Sequence, residues 1–190
     1  DLPPLHLNDA QKEAVANAEI LMIDGNEMAG ALEACAVAKE NGTKILYDCG
    51  GLYEGVANLL KQTDYMIPSE EFSLGHTGKE TVEEAAKALF ETYRPEVVVI
   101  TRGSKGGLYY DGTEMLHCPV FPVTVLDSNG SGDVFHGAFA AGLAKGLTPK
   151  QCCYFSSAVS AIKCTGVGAR ESVPDYNTVL EFLKERNYEL

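Results

Sequence analysis

Four apolar β-branched residues stand in a row at Val97-Val98-Val99-Ile100. A strand with one wet face alternates apolar and polar residues. A run without alternation is apolar toward both faces, and it needs cover on both. The usual cover is a layer of helices on each side of a mainly parallel sheet. Ile20 to Ile23, Lys44 to Tyr47 ending at Asp48, and Tyr65 to Ile67 stopped by Pro68 read as further short strands. Between them, Glu27 to Glu40 places Met28, Ala31, Leu32, Cys35 and Ala38 at helical spacing, and Asn41-Gly42 suits a left-handed stop. Leu52 to Lys61 and Thr81 to Tyr93 also read as helices, and Glu70 to Leu74 as a helical turn.

The texture changes after Gly106. Gly107 to Tyr110, an Asp111-Gly112 turn and Thr113 to His117 spell a hairpin. Val120 to Val125 reads as another extended piece. Three helices follow: Asp133 to Lys145, Pro149 to Lys163 with Thr148 as cap and Pro149 in the first position, and Tyr176 to Arg186. The expected architecture is one α/β domain over residues 1–190. Its mainly parallel sheet is sandwiched by helices and ends in a late antiparallel hairpin edge.

The net charge of −12 argues against binding a nucleic-acid backbone, which calls for a basic patch. It leaves room for a small phosphorylated ligand, which needs only a local site. Six cysteines show no C-x-x-C pair and no zinc spacing, as expected of reduced, buried thiols in a cytosolic protein. No apolar run approaches membrane-spanning length.

The stretch most suggestive of chemistry is D-S-N-G-S-G-D, Asp127 to Asp133. Small residues let a backbone approach a ligand closely, and a helix N-terminus offers unpaired N–H donors at the positive end of its dipole. Together they suit an anion such as a phosphate. A carboxylate there is out of place unless it faces a hydroxyl while the N–H groups face the phosphate. It then accepts the hydroxyl proton as that oxygen attacks the phosphoryl group, and the backbone donors stabilise the charge that builds. The plainer alternative is that Asp133 is a helix-capping acid behind a tight turn. The loop is not a Walker loop, since no G-K-[ST] follows, and it lacks the third glycine of a dinucleotide fingerprint.

Asp127 to Asp133 resembles the D-T-x-G-A-G-D signature of the ribokinase-like, or PfkB, carbohydrate kinases. Two further stretches agree in order and spacing. Thr101 to Gly106 is similar to the family's T-x-G-x-x-G nucleotide segment. Gly168 to Pro174 is similar to its G-A-x-x-S-x-P loop. The resemblance implies ATP-dependent phosphorylation of a sugar hydroxyl with Mg²⁺. It makes Asp133 the catalytic base and gives Gly130, Ser131 and Gly132 the anion hole. Thr101, Gly103, Ser104 and Gly106 then lie along the nucleotide. It further implies a monovalent-cation site, K⁺ in kind, at Asp127, Asn129, Lys163, Gly166, Gly168 and Ser172, acting largely through carbonyl oxygens. Lys163 would serve there by its backbone alone, with its side chain in solvent.

The chain departs from the family pattern in two places. Where many relatives carry N-x-x-E, with an acid that helps hold Mg²⁺ through water, this chain has Ser69 and Phe72. Glu70 or Glu71 would have to substitute, unless they simply open a solvated helix. The front also differs. Asp1-Leu2-Pro3-Pro4-Leu5 reads like the middle of a longer protein, after the lid strands and most sugar contacts, so the expected piece is the nucleotide-binding portion. Two other functions stay open: a nucleoside or vitamin-precursor kinase of the same fold, and a non-catalytic nucleotide-binding pseudokinase or fragment. A homodimer of the complete protein is compatible with the family, but the sequence does not define it. His136 is expected to pack or face solvent rather than act. Asp24 and Asp48, at strand ends, either border a ligand cleft or form turns.

Overall fold

The computed structural model describes residues 3–190. Strands β1 (Ile20–Ile23), β2 (Lys44–Cys49), β3 (Tyr65–Pro68) and β4 (Val97–Thr101) alternate with helices α1 (Asp9–Ala16), α2 (Met28–Asn41), α3 (Val56–Leu60), α4 (Glu70–Thr77) and α5 (Val82–Tyr93). Strands β5 (Gly107–Tyr110) and β6 (Met115–Cys118) follow, and then helices α6 (Ser131–Ala144), α7 (Pro149–Lys163) and α8 (Tyr176–Lys184). The six strands hydrogen-bond in chain order, and β1 to β4 run parallel, with Met22 opposite Leu46 and Met66 opposite Val98. The expected antiparallel edge is present. Val97, Val98, Val99 and Ile100 are fully buried, as their unbroken apolar run requires.

Local chemistry sets the element ends. Gly42, in the left-handed region at φ 78°, stops α2. Thr81 caps α5, accepting from the Glu84 N–H. Thr148 and Gln151 form a capping box at the start of α7, with Pro149 in the first position. In the hairpin turn the Asp111 carboxylate accepts from the N–H groups of Thr113 (2.9 Å) and Glu114 (2.8 Å), while Gly112 takes φ 91°.

Several expectations need correction. The helix expected from Leu52 shrinks to Val56–Leu60, because Gly55 takes φ 83° immediately before it. Strand β3 ends at Pro68 as expected, with the proline as its last residue, opposite Cys49. Val120 to Val125 form no strand. Helix α4 runs to Thr77 rather than Leu74. Helix α1 adds to the expected elements, although its Asn8/Gln11 capping box is readable in the sequence.

Contacts gather into two compact units. The first ends at Ile100 and includes Tyr110–Met115, and the second takes Thr101–Tyr109 and Leu116–Leu190. The core of the first holds Ile45, Leu46, Tyr47, Leu59, Met66 and Leu89, all fully buried. In the second, α6 packs chiefly on α7, and a cluster of Phe121, Ala138, Phe155, Ala158, Val179 and Leu183 joins α6, α7 and α8. Phe121 meets Phe182 and Tyr188 edge-on, at 5.4 and 5.2 Å between ring centres. All six cysteines are buried and unpaired. No helix among the described residues is long and apolar enough to cross a membrane.

Candidate active site

The three stretches singled out in the sequence all lie in the second unit. The 127–133 segment is built from the backbone outward. Gly130 takes φ 72° as the residue before α6, and the Ser131 N–H closes the turn onto the Ser128 carbonyl at 3.1 Å. The Val134 N–H makes the first helical bond, to Gly130 (2.9 Å). The first N–H groups of a helix have no acceptor within it. With Ser131 and Val134 spent, the N–H groups of Gly132 and Asp133 are those left facing outward. Of the three residues expected to supply the anion hole, then, Ser131 uses its N–H to hold the turn.

Asp133 is the third residue of α6 and is exposed. Among the described residues its carboxylate takes part in no hydrogen bond or ion pair, and Gly130 before the helix has no side chain to cap it. A capping acid would be tied to the backbone. This one is open to whatever approaches the helix mouth. His136, one turn on, is buried. It is 4% exposed, and its Nδ1 donates to the Gly132 carbonyl at 2.7 Å, so that nitrogen carries the proton. It is a packed histidine, as expected.

The residues before α6 are tied to the end of α7 and the loop beyond it. The N–H groups of Leu126 (2.8 Å) and Asp127 (3.3 Å) share the Cys164 carbonyl. The Asp127 carboxylate accepts from Asn129 N–H and Gly168 N–H, each at 2.9 Å. Those two bonds, with help from Lys163, hold its carboxyl below the usual carboxylate range. The Ser160 hydroxyl donates to the Ser131 carbonyl at 3.0 Å. In the following loop the Ser172 hydroxyl donates to the Val167 carbonyl at 2.9 Å and sits where a side chain on Gly166 would have to go.

Lys163 overturns the expectation of a solvated side chain. It is 0% exposed, and its Nζ donates to the Asp127 carbonyl at 2.9 Å and to the Asn129 carbonyl. These are two of the oxygens expected to hold a monovalent cation. Ser160 is a site residue that the motifs do not point to. The available signal is its spacing of three from Lys163, which puts both on one side of α7.

The nucleotide-like segment is a tight, exposed turn. Thr101 ends β4, and Gly103–Lys105 make one 3₁₀ turn with Gly103 at φ 55°. Gly106, at φ 82°, lies so close to β6 that a Cβ would stand 2.5 Å from the Cys118 carbonyl oxygen. Gly103 and Ser104 are exposed. Ser69 and Phe72, the departures from N-x-x-E, have structural work: the Ser69 hydroxyl caps α4 by accepting from the Phe72 N–H at 3.1 Å, and Phe72 is 1% exposed. Glu70 and Glu71 fall in the first turn of α4, where a carboxylate suits the helix dipole. The Asp24 carboxylate is used in a turn, accepting from the Asn26 backbone (3.0 Å) and side chain (2.8 Å).

An α/β sheet ending in a hairpin, followed by a glycine-preceded helix with an unpaired acid in its first turn, is the arrangement expected of the ribokinase-like fold. The sequence profile described as pfkB family carbohydrate kinase matches residues 2–176, and the chain belongs to that family. Ribokinase of Arabidopsis thaliana is 30% identical over 190 aligned positions, covering 95% of this chain and 50% of that protein. The 5-dehydro-2-deoxygluconokinase of Clostridium perfringens is 28% identical over 208 positions, covering 97% of this chain and 61% of that protein. The structure of the Arabidopsis ribokinase, complexed with ribose and ATP, superposes with a TM-score of 0.84 at 27% identity, covering 96% of this chain and 61% of the other. The chain thus spans between half and about three-fifths of the length of these relatives.

Proposed function

We propose that this chain carries the phosphoryl-transfer half of an ATP-dependent sugar kinase. The reaction is direct in-line transfer of the γ-phosphoryl group to a sugar hydroxyl. Asp133 accepts the hydroxyl proton as the oxygen attacks, and the outward N–H groups at Gly132 and Asp133 face the charge that develops on the transferred group. Thr101, Gly103, Ser104 and Gly106 lie along the nucleotide, where an exposed glycine turn admits close approach. The observation that carries this reading is the open carboxylate of Asp133 at the mouth of a helix whose cap is a glycine. Ribose in the Arabidopsis relative and a keto-sugar acid in the name of the Clostridium relative both support a polyhydroxylated sugar as acceptor.

Mg²⁺ bound with ATP would be held largely by phosphate oxygens, with Glu70 or Glu71, in the first turn of α4, in place of the usual acid, and it would supply charge neutralisation. The protein's own share in the transfer step is the proton acceptor and the N–H groups.

The test is ADP release by the protein carrying this chain, over a panel of sugars, nucleosides and vitamin precursors, with Asp133→Asn alongside. Turnover on a sugar, lowered on the order of 10²–10⁴-fold by the substitution with ATP affinity kept, is expected. Unchanged turnover in Asp133→Asn removes the assignment. ATP binding without transfer to any acceptor favours the non-catalytic alternative.

A further inference from the structure

Lys163 is, among the described residues, the one Lys, Arg, Asp or Glu side chain that is buried. A buried charge is ordinarily met by an opposite one. Among the described residues no carboxylate lies within ion-pair distance of it, although the Asp127 carboxylate is near enough to feel its charge. The Asp127 carboxylate is occupied by the N–H groups of Asn129 and Gly168, and Nζ is bound instead by two main-chain carbonyls, those of Asp127 and Asn129. Carbonyl oxygens gathered around a bare positive charge are how a backbone holds a metal cation; here the positive charge is the ammonium.

The geometry also explains why these oxygens converge. The segment bends here, with the Ser131 N–H closed onto the Ser128 carbonyl, and the Asp127 and Asn129 carbonyls both reach the Lys163 ammonium. The Asp127 side chain fixes that bend by bridging Asn129 and Gly168. Without a cation, like dipoles would crowd together. Lys163 reaches them from the last turn of α7, and its helix is anchored to α6 one turn earlier by Ser160 on the Ser131 carbonyl. A K⁺ ion placed on the same two oxygens would stand beside a buried ammonium, and two like charges at contact repel. The residues present do not fit K⁺.

We propose that Lys163 is a built-in cation. Its ammonium takes the place of a monovalent metal ion on the Asp127 and Asn129 carbonyls and holds the 127–130 segment so that the N–H groups of Gly132 and Asp133 stay outward. A diffusible ion stabilises a site only when its concentration is comparable with or above its dissociation constant, whereas a tethered one is always present. The site is therefore independent of K⁺.

The consequence for ATP rests on the proposed function; the consequence for stability does not. The experiment is thermal unfolding of the chain, and ATP titration, in potassium chloride against tetramethylammonium chloride at equal ionic strength. For the unaltered chain the unfolding midpoint is the same in both salts, and the ATP dissociation constant agrees within about twofold. In Lys163→Ala, which opens the space, the midpoint falls in tetramethylammonium, and K⁺ restores part of it. In Lys163→Met, which fills the space without charge, the midpoint falls and K⁺ restores nothing. If Lys163→Ala does not fold in tetramethylammonium, refolding in K⁺ gives the same reading, and folding in neither salt overturns the proposal. It is also overturned if K⁺ raises the midpoint of the unaltered chain or tightens its ATP binding about tenfold or more. A lysine of purely structural use would give a Lys163→Ala protein that K⁺ does not rescue, and that result likewise overturns the proposal. Failure to bind ATP in either salt bears on the proposed function alone, and the midpoints still decide the role of Lys163.

Discussion

The Asp127 carboxylate and the Gly168 N–H meet at 2.9 Å across 41 residues of chain, binding the segment before α6 to the loop after α7. Because Asn129 N–H, Gly168 N–H and Lys163 all favour the ionised carboxylate, its pKa lies below the ordinary 3.8. The unfolded chain then takes up this proton more readily than the folded one. The stabilisation is fully present above the unfolded value and is lost as pH falls through the depressed folded one. Asp127→Ala is expected to lower the unfolding midpoint at neutral pH and to lower it less in strong acid. Midpoints recorded from neutral pH down to about pH 2 check this, and a deficit that grows on acidification would refute it.

Gly130 sits at φ 72°, and a Cβ on it would stand 3.0 Å from that of Ala169. Gly130→Ala therefore combines a left-handed backbone penalty with crowding. Urea unfolding is expected to show a loss of roughly 1–2 kcal/mol. A loss near zero would mean that the turn into α6 relaxes freely.

His76 stacks on Phe72 with 5.3 Å between ring centres, and its Nε2 meets the Tyr93 hydroxyl at 2.7 Å. Burial pushes its pKa below the ordinary 6.5. The folded protein thus resists protonation that the unfolded chain accepts. The stability linked to His76 is complete above pH 6.5 and falls away as pH drops from there through the folded value. Replacing it by Phe should flatten the stability profile in that window. An unaltered slope would assign the acid sensitivity elsewhere.

Phe155, 4% exposed, lies in the cluster that joins α6, α7 and α8. Phe155→Ala is expected to cost about 3–5 kcal/mol, through lost burial and the cavity left behind. Denaturant titration measures it, and a cost below about 1 kcal/mol would show that the cluster closes over the gap.

The strands and helices are legible where local chemistry decides them. The apolar run at Val97–Ile100, the Asp111-Gly112 turn and the Thr148-Pro149 helix start each specify structure within a few residues. Local pattern misleads where glycine interrupts it, as at Gly55, and where an apolar stretch finds no strand partner, as at Val120 to Val125. The site divides in the same way. Asp133 at the mouth of α6 can be read from the residues beside it. The burial of Lys163 cannot, because its partners lie 34 and 36 residues earlier and are main-chain oxygens, which carry no side-chain signature. Nor can the use of the Ser131 N–H, which depends on how the turn closes onto Ser128.

Calorimetric titration of the 190-residue chain with ATP and Mg²⁺ bears most immediately on the kinase reading. If Thr101 to Gly106 and Asp127 to Asp133 form a working nucleotide site, binding is saturable at a single site. A chain that is folded by circular dichroism yet gives no binding heat, and no rise in unfolding midpoint with ATP, would contradict that reading.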